Sequence, residues 1–234
     1  MTYEPNNFIS QVCDVCLPPY QANATNGVIP TQSHPGSNAV DGDRETWWQS
    51  PPISRGLKYN RVDLSINLQQ SFQVAYVVVT MANSPRPGVW ALDRSVDNGQ
   101  TWKPWQYFAG NDVECQKYFG VHAFDPRRQK IERDDEVICV TDFSKVLPIE
   151  DGEIIVSLTK GRPGAKNLWT SPTLQDWLLA TNIRLRLMQT KTMLGHLMSV
   201  AQGDKTVTRR VIFFKLLLFA FIFMQIGTKK SMEV

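Results

Sequence analysis

The sequence predicts an all-β fold, a β-sandwich of packed antiparallel sheets with one short helix. Three observations lead there. Residues 62–68, Val-Asp-Leu-Ser-Ile-Asn-Leu, alternate apolar and polar side chains at every step, the period of a strand with one wet face. Residues 74–80, Val-Ala-Tyr-Val-Val-Val-Thr, form a continuous β-rich run that reads as a strand buried on both faces. Asp97-Asn98-Gly99 separates two strand-like stretches, 89–95 and 102–108. It is a hairpin signal, because Asn and Gly accept the positive φ that a tight turn demands.

Residues 17–60 are rich in Pro, Gly, Asn and Ser and read as loop. Short strands are expected over 136–141 and 153–158. The helix begins at Ser171, a capping residue, with Pro172 in its first position and Leu174, Trp177 and Leu178 on its apolar face. Residues 182–188 return to strict alternation, with Arg184 and Arg186 outward. Packing of these strands puts 74–81 at the centre, with Leu64, Ile66, Ile183, Leu185 and Leu187 facing the core.

Seven Trp, eleven Phe and 42% hydrophobic residues are the composition of a folded domain, which excludes disorder. The formal charge is +3, but the last 24 residues hold three Lys and one Glu, which leaves +1 for residues 1–210. A nearly neutral body gives no support to nucleic-acid binding. The four cysteines are Cys13, Cys16, Cys115 and Cys139. Cys13-x-x-Cys16 fits a redox motif or half a zinc site, but no second such pair and no histidine at ligand spacing accompany it. Cys115 and Cys139 flank a charged excursion and suit a disulfide that closes it. An even cysteine number and the acceptor pattern at Asn23 (Asn-Ala-Thr) lean towards an extracellular, glycosylated protein. The first residues show no apolar leader and are read as an incomplete lead-in.

The stretch from His34 to Pro51 holds the densest chemistry. Asp41 and Asp43 flank Gly42, then Thr46 precedes Trp47 and Trp48. A hard cation takes carboxylate, carbonyl and hydroxyl oxygens from such a turn; a solvated Asp-Gly turn explains the same residues without a metal. Asn38-Ala-Val-Asp-Gly-Asp with Thr46-Trp-Trp-Gln-Ser50 resembles the opening loop of discoidin-like, galactose-binding-like domains, and more narrowly the N-terminal domain of laminins, in its α-subunit form. Asn83-Ser-Pro-Arg-Pro-Gly88, Trp105-Gln-Tyr107, Asp134-Asp-Glu-Val-Ile-Cys139, Pro148-Ile-Glu-Asp-Gly-Glu153, Gly161-Arg-Pro163 and Val207-Thr-Arg-Arg210 continue the resemblance in order.

The resemblance implies a jelly roll over residues 17–210, preceded by an incomplete lead-in (1–16) and followed by an apolar tail (211–234). It implies a structural Ca²⁺ held by side chains of Asp41, Thr46 and, as a further candidate, Asp43, with the Asn38 carbonyl as a backbone ligand. It implies the Cys115–Cys139 pair. It also implies that the acidic turn Glu150, Asp151 and Glu153 contacts laminin β and γ N-terminal domains in the extracellular matrix of basement membranes, supporting polymerisation and cell adhesion. Family domains continue past the Thr-Arg-Arg motif with a tyrosine-rich strand; here an apolar run, 211–226, stands instead. That run reads as a misjoined gene, a membrane anchor or a substitute core strand.

Catalysis finds no footing. Ser95-Val-Asp-Asn-Gly-Gln-Thr-Trp102 resembles one sialidase Asp-box, a turn whose Ser and Asp cap backbone amides, but a sialidase repeats it. His34, His122 and His196 sit in no metalloprotease motif, and no nucleophile elbow is present. Asp134, Asp135 and Glu136 read as a solvated charged loop. The basic groups Arg127, Arg128 and Lys130, then Lys160, Arg162 and Lys166, then Arg184 and Arg186, are candidates for a sulfated-glycan or receptor surface. The alternative to the laminin reading is a discoidin-like glycan- or lipid-binding module.

Overall fold

The computed structural model describes residues 36–50, 61–82, 84, 86–145, 147 and 152–189, and the backbone of 215–223. Its spine is β2, Val62–Met81, a strand of 20 residues. The alternating stretch and the β-rich run are therefore one strand. The register against its neighbour shifts between Asn67 and Phe72, Gln69 sits at φ 67°, and the Asn67 side chain accepts the Gln69 N–H at 2.7 Å. A local bulge re-aims the chain without reversing it.

That bend lets β2 serve two sheets. Its first half pairs with β7 (Leu179–Gln189), which continues to β3 (Val89–Ser95), β4 (Lys103–Phe108) and β5 (Cys139–Val140). Its second half lies between β6 (Glu153–Ser157) and β8 (Lys215–Phe223), and β8 in turn pairs with β1 (Trp48–Gln49). Among the described strands all pairings are antiparallel except β4 with β5. The curled sheet closes over one core, with Val77, Val79, Ile154 and Val156 on one side and Trp90, Leu92, Phe108 and Leu185 on the other. Leu64, Ile66, Ile183, Leu185 and Leu187 are all buried, as the alternation predicts. Along the second half of β2, Val77, Val79 and Met81 are buried while Tyr76, Val78 and Thr80 are only half-buried. β-Branching marks strand preference there, and the second face is less covered than the run implies.

Two α-helices are present among the described residues, one more than expected. Helix α2, Pro172–Leu178, is the expected one, with the Ser171 hydroxyl accepting the Leu174 N–H at 3.2 Å and Leu174, Trp177 and Leu178 buried. Helix α1, Asp112–Phe119, is the addition, and Cys115 is its buried residue. It packs with Tyr107, Val89 and Met188 around the Cys115–Cys139 disulfide. The stretch expected as a strand over 136–141 forms only the two residues of β5, because Arg162 engages the carbonyls that precede it.

The hairpin forms as read. Asn98 and Gly99 adopt φ 57° and 85°, the Ser95 hydroxyl accepts the Gly99 N–H at 2.8 Å, and the Asp97 carboxylate accepts the Thr101 N–H at 2.9 Å. Part of the apolar run after residue 210 enters the sheet as β8, with Val77 opposite Phe221 and Trp48 opposite Leu216. Among the described residues no helix is long and apolar enough to cross a membrane.

Candidate functional site

The Asp-Gly-Asp loop is anchored at both ends. A 3-10 turn, Gly36–Ala39, buries Ala39 before it, and Trp48 is buried in the core after it. Gly42 stands at φ 78°, in the region where a side chain is strained. Within the loop the Thr46 hydroxyl donates to Asp41 Oδ2 at 2.6 Å and lies 3.4 Å from the Asp43 carbonyl. Asp41 Oδ1 accepts the Asp43 N–H at 2.9 Å. A carboxylate, a hydroxyl and a carbonyl thus converge, an all-oxygen set of the kind that hard cations such as Ca²⁺ take. The Asp43 carboxylate is engaged elsewhere, accepting the Glu45 N–H at 2.9 Å. The Asn38 side chain donates to the Trp47 carbonyl at 3.2 Å and ties the two arms of the loop together.

Of the acidic turn, Glu153 lies within the described residues, whereas Glu150 and Asp151 lie outside them, as do Cys13, Cys16 and Asn23. Glu153 is exposed at the head of β6. Its position is fixed from below: Met81 N–H donates to the Gly152 carbonyl at 3.1 Å, and Arg86 donates to the Glu153 carbonyl at 2.6 Å. Arg86 belongs to the Ser-Pro-Arg-Pro-Gly motif, and burial lowers its pKa. Nothing in the motif's local pattern marks Arg86 for this contact, which spans 67 residues of sequence.

Cys115 and Cys139 are joined by a disulfide, and both are fully buried. Helix α1 carries Cys115 into place. Asn111 caps its start by accepting the Glu114 N–H at 2.9 Å, Glu114 accepts the Gly110 N–H at 2.7 Å, and Gly120 ends it at φ 70°. Those caps are a sequence signal that was available.

The three basic groups separate sharply. Arg127, Arg128 and Lys130 are exposed. Arg162 is not a surface cation: it is buried, donating to the carbonyls of Leu158 (2.8 Å), Asp134 (2.8 Å) and Glu136 (3.0 Å), with its guanidinium 4.6 Å from the Trp177 ring. Burial pulls its pKa down to about 10, against the pull of Asp134, Glu136 and Asp135. Nor are Arg184 and Arg186 free on a wet face. Both grip Asp93, at 2.8 and 3.1 Å, and Arg184 also stacks 4.4 Å over Trp102. Asp93 is almost fully buried, so its charge requires those partners. Asp134, read as solvated, instead accepts the Gly164 N–H at 2.8 Å and the Ser171 hydroxyl at 2.5 Å.

Curled sheets, a disulfide-tied helix and turns at the strand ends are the plan of a β-sandwich module, and the chain belongs to the laminin N-terminal (domain VI) family, whose model matches residues 2–216. Within that family its similarity to α subunits is high. It is 51% identical to laminin subunit alpha of Drosophila melanogaster over 203 residues, 87% of this chain and 5% of that protein. It is 52% identical to human laminin subunit alpha-3 over 200 residues, 86% and 6% respectively. With laminin subunit gamma-1 of Danio rerio the identity is 34% over 148 residues, 63% of this chain and 9% of that protein. The chain thus spans 5–6% of the length of these α relatives. Among solved structures, it overlaps a galactose-bound family 32 carbohydrate-binding module of C. perfringens NanJ with a TM-score of 0.40 at 11% identity, over 80% of this chain and 83% of that one. A chitosan-binding module of a Paenibacillus chitosanase/glucanase gives 0.42 at 11% identity, over 82% and 85%.

Proposed function

We propose that this domain is the network-forming module of a laminin-α-like subunit, associating with laminin β and γ N-terminal domains in the extracellular matrix of basement membranes. The supporting observation is α-type identity of about one half across 87% of the chain. The module acts by binding and carries out no reaction. Its contact is the acidic turn, Glu150, Asp151 and Glu153, whose exit is held rigid by Arg86 and the Gly152 carbonyl bond. Charges on such a turn govern partner choice and encounter rate more than raw affinity. Glu150→Arg and Glu153→Arg are expected to abolish the three-domain complex in sedimentation while the melting profile stays in place. Undiminished assembly by both variants would overturn this assignment.

The converging oxygens of Asp41, Thr46 and Asp43, with the Asn38 carbonyl, make up the proposed calcium loop. A bound ion would replace the internal Thr46–Asp41 hydrogen bond and stiffen the loop beside Trp48. A second reading, binding of sulfated glycans or cell-surface receptors, is favoured by the exposure of Arg127, Arg128 and Lys130 together. Retention on heparin that Arg127→Ala with Arg128→Ala does not weaken would remove it.

A further inference from the structure

Among the described residues, one edge of strand β6 pairs with no other strand. Met81 N–H donates to the Gly152 carbonyl and Leu158 N–H to the Ala75 carbonyl, while Ile154 and Val156 stand opposite Val79 and Val77. In an antiparallel ladder this register turns the backbone groups of residues 152, 154, 156 and 158 towards β2, and those of Glu153, Ile155 and Ser157 away from it. Arg86 occupies the Glu153 carbonyl. The N–H and C=O of Ile155 and of Ser157 meet no strand among the described residues. Proteins blunt such edges with proline, lysine or a covering loop. Here the edge carries Ile155, which is 49% exposed.

The edge borders a groove of about 600 Å³. Phe124, Ile131, Val140, Phe143, Ile155 and Val156 give it an apolar lining, and Lys130 and Lys160 stand on its rim. Neither lysine makes an ion pair among the described residues, whereas the rim acid Asp142 is already neutralised by Lys145 at 2.7 Å. An unpaired backbone edge, an apolar trough and two uncompensated ammonium groups match one chemistry: an extended polypeptide with aliphatic and acidic side chains.

We propose that this groove receives an acidic, extended segment of a partner polypeptide, which adds to the open edge of β6 as a further strand. The proposal rests on the reading of this domain as an interaction module and deepens it. β6 begins at Glu153, itself a member of the proposed contact, so a strand laid along β6 reaches that residue. The five residues of β6 span roughly 17 Å. One end of β6 presents the Glu153 carboxylate and the other Lys160, which fixes the direction of a complementary strand. A sulfated sugar has no use for the apolar lining or for alternating backbone donors and acceptors.

The test uses the full chain and a labelled six-residue peptide alternating glutamate with valine, with a lysine–valine peptide and a heparin fragment as comparators. Ile155→Pro deletes the outward N–H and leaves the β2 ladder intact, since position 155 donates nothing to it. Lys130→Glu with Lys160→Glu reverses the rim at exposed positions. The acidic peptide is expected to bind the wild type and to weaken by about tenfold or more in both variants. The lysine–valine peptide should gain affinity for the reversed rim. Equal binding of the acidic peptide by the rim-reversed protein overturns the proposal, as does displacement of that peptide by heparin with no effect of Ile155→Pro. Sedimentation of the same wild-type chain with β and γ N-terminal domains separates the two readings. Peptide binding without assembly keeps the groove and removes the network function; assembly without peptide binding does the reverse.

Discussion

Replacing Arg162 by methionine keeps the side-chain volume and removes the guanidinium. Three backbone carbonyls, from Leu158, Asp134 and Glu136, lose their donor in a site where Arg162 is only 5% exposed. Each charge-assisted bond contributes about 1.5–3 kcal/mol, but the desolvation of a buried guanidinium, visible in its lowered pKa, offsets a large part of that. A net loss of about 3 kcal/mol is expected, equivalent to roughly 6–12 °C in Tm for a domain of this size. One guanidinium nitrogen serves Asp134 and Glu136 and another serves Leu158, so a single ammonium cannot span all three, and Arg162→Lys should fall between methionine and wild type. Urea unfolding followed by tryptophan fluorescence measures both, because Trp177 lies under the guanidinium. A loss below about 1 kcal/mol for Arg162→Met would refute the idea that this group joins the 134–136 and 158–164 segments.

Three further outcomes are expected. Calorimetry should show calcium binding by the wild type and none by Asp41→Ala; equal responses rule the loop out as a metal site. Replacing Cys115 and Cys139 together by serine should cost about 3 kcal/mol in denaturant unfolding, the loop-closure value for a separation of 24 residues. Asp97 is held down to about 2 from 3.8, first by the Ser95 hydroxyl and then by Thr101. Its folded pKa lies below its unfolded one, so the hairpin keeps this stabilisation above about pH 4 and loses it as pH falls towards 2; Asp97→Asn should flatten the acid limb, and an unchanged limb would deny the carboxylate that role.

Much of the fold was legible because its signals are local. Alternation over 62–68 and 182–188, the Asn-Gly turn and the Ser171-Pro172 start each specify a backbone conformation within a few residues, and each formed. Helix α1 was missed although Asn111, Glu114 and Gly120 spell its caps. Cys115 is its one fully buried residue, and the partly buried Tyr118 and Phe119 at i+3 and i+4 complete a short apolar stripe that spans barely one turn. Arg184 and Arg186 were placed on the outward face by alternation, but only pairing with β3 brings Asp93 beside them.

The sequence by itself determined the β class, the core strand 74–81, the hairpin, one helix and the family resemblance carried by its loops, because these depend on neighbours in the chain. The tertiary structure decided what depends on residues far apart. It merged two predicted strands into one bent strand, since a bulge is defined only against the partner β7. It drew 215–223 into the sheet beside β2. It spent Arg162, Arg184 and Arg186 on buried carbonyls and Asp93, and left Arg127, Arg128 and Lys130 to solvent. Among the described residues it also left one edge of β6 open beside an apolar groove. No local pattern encodes an unpaired edge, because an edge is the absence of a neighbour, and neighbours are chosen only when the whole sheet closes over its core.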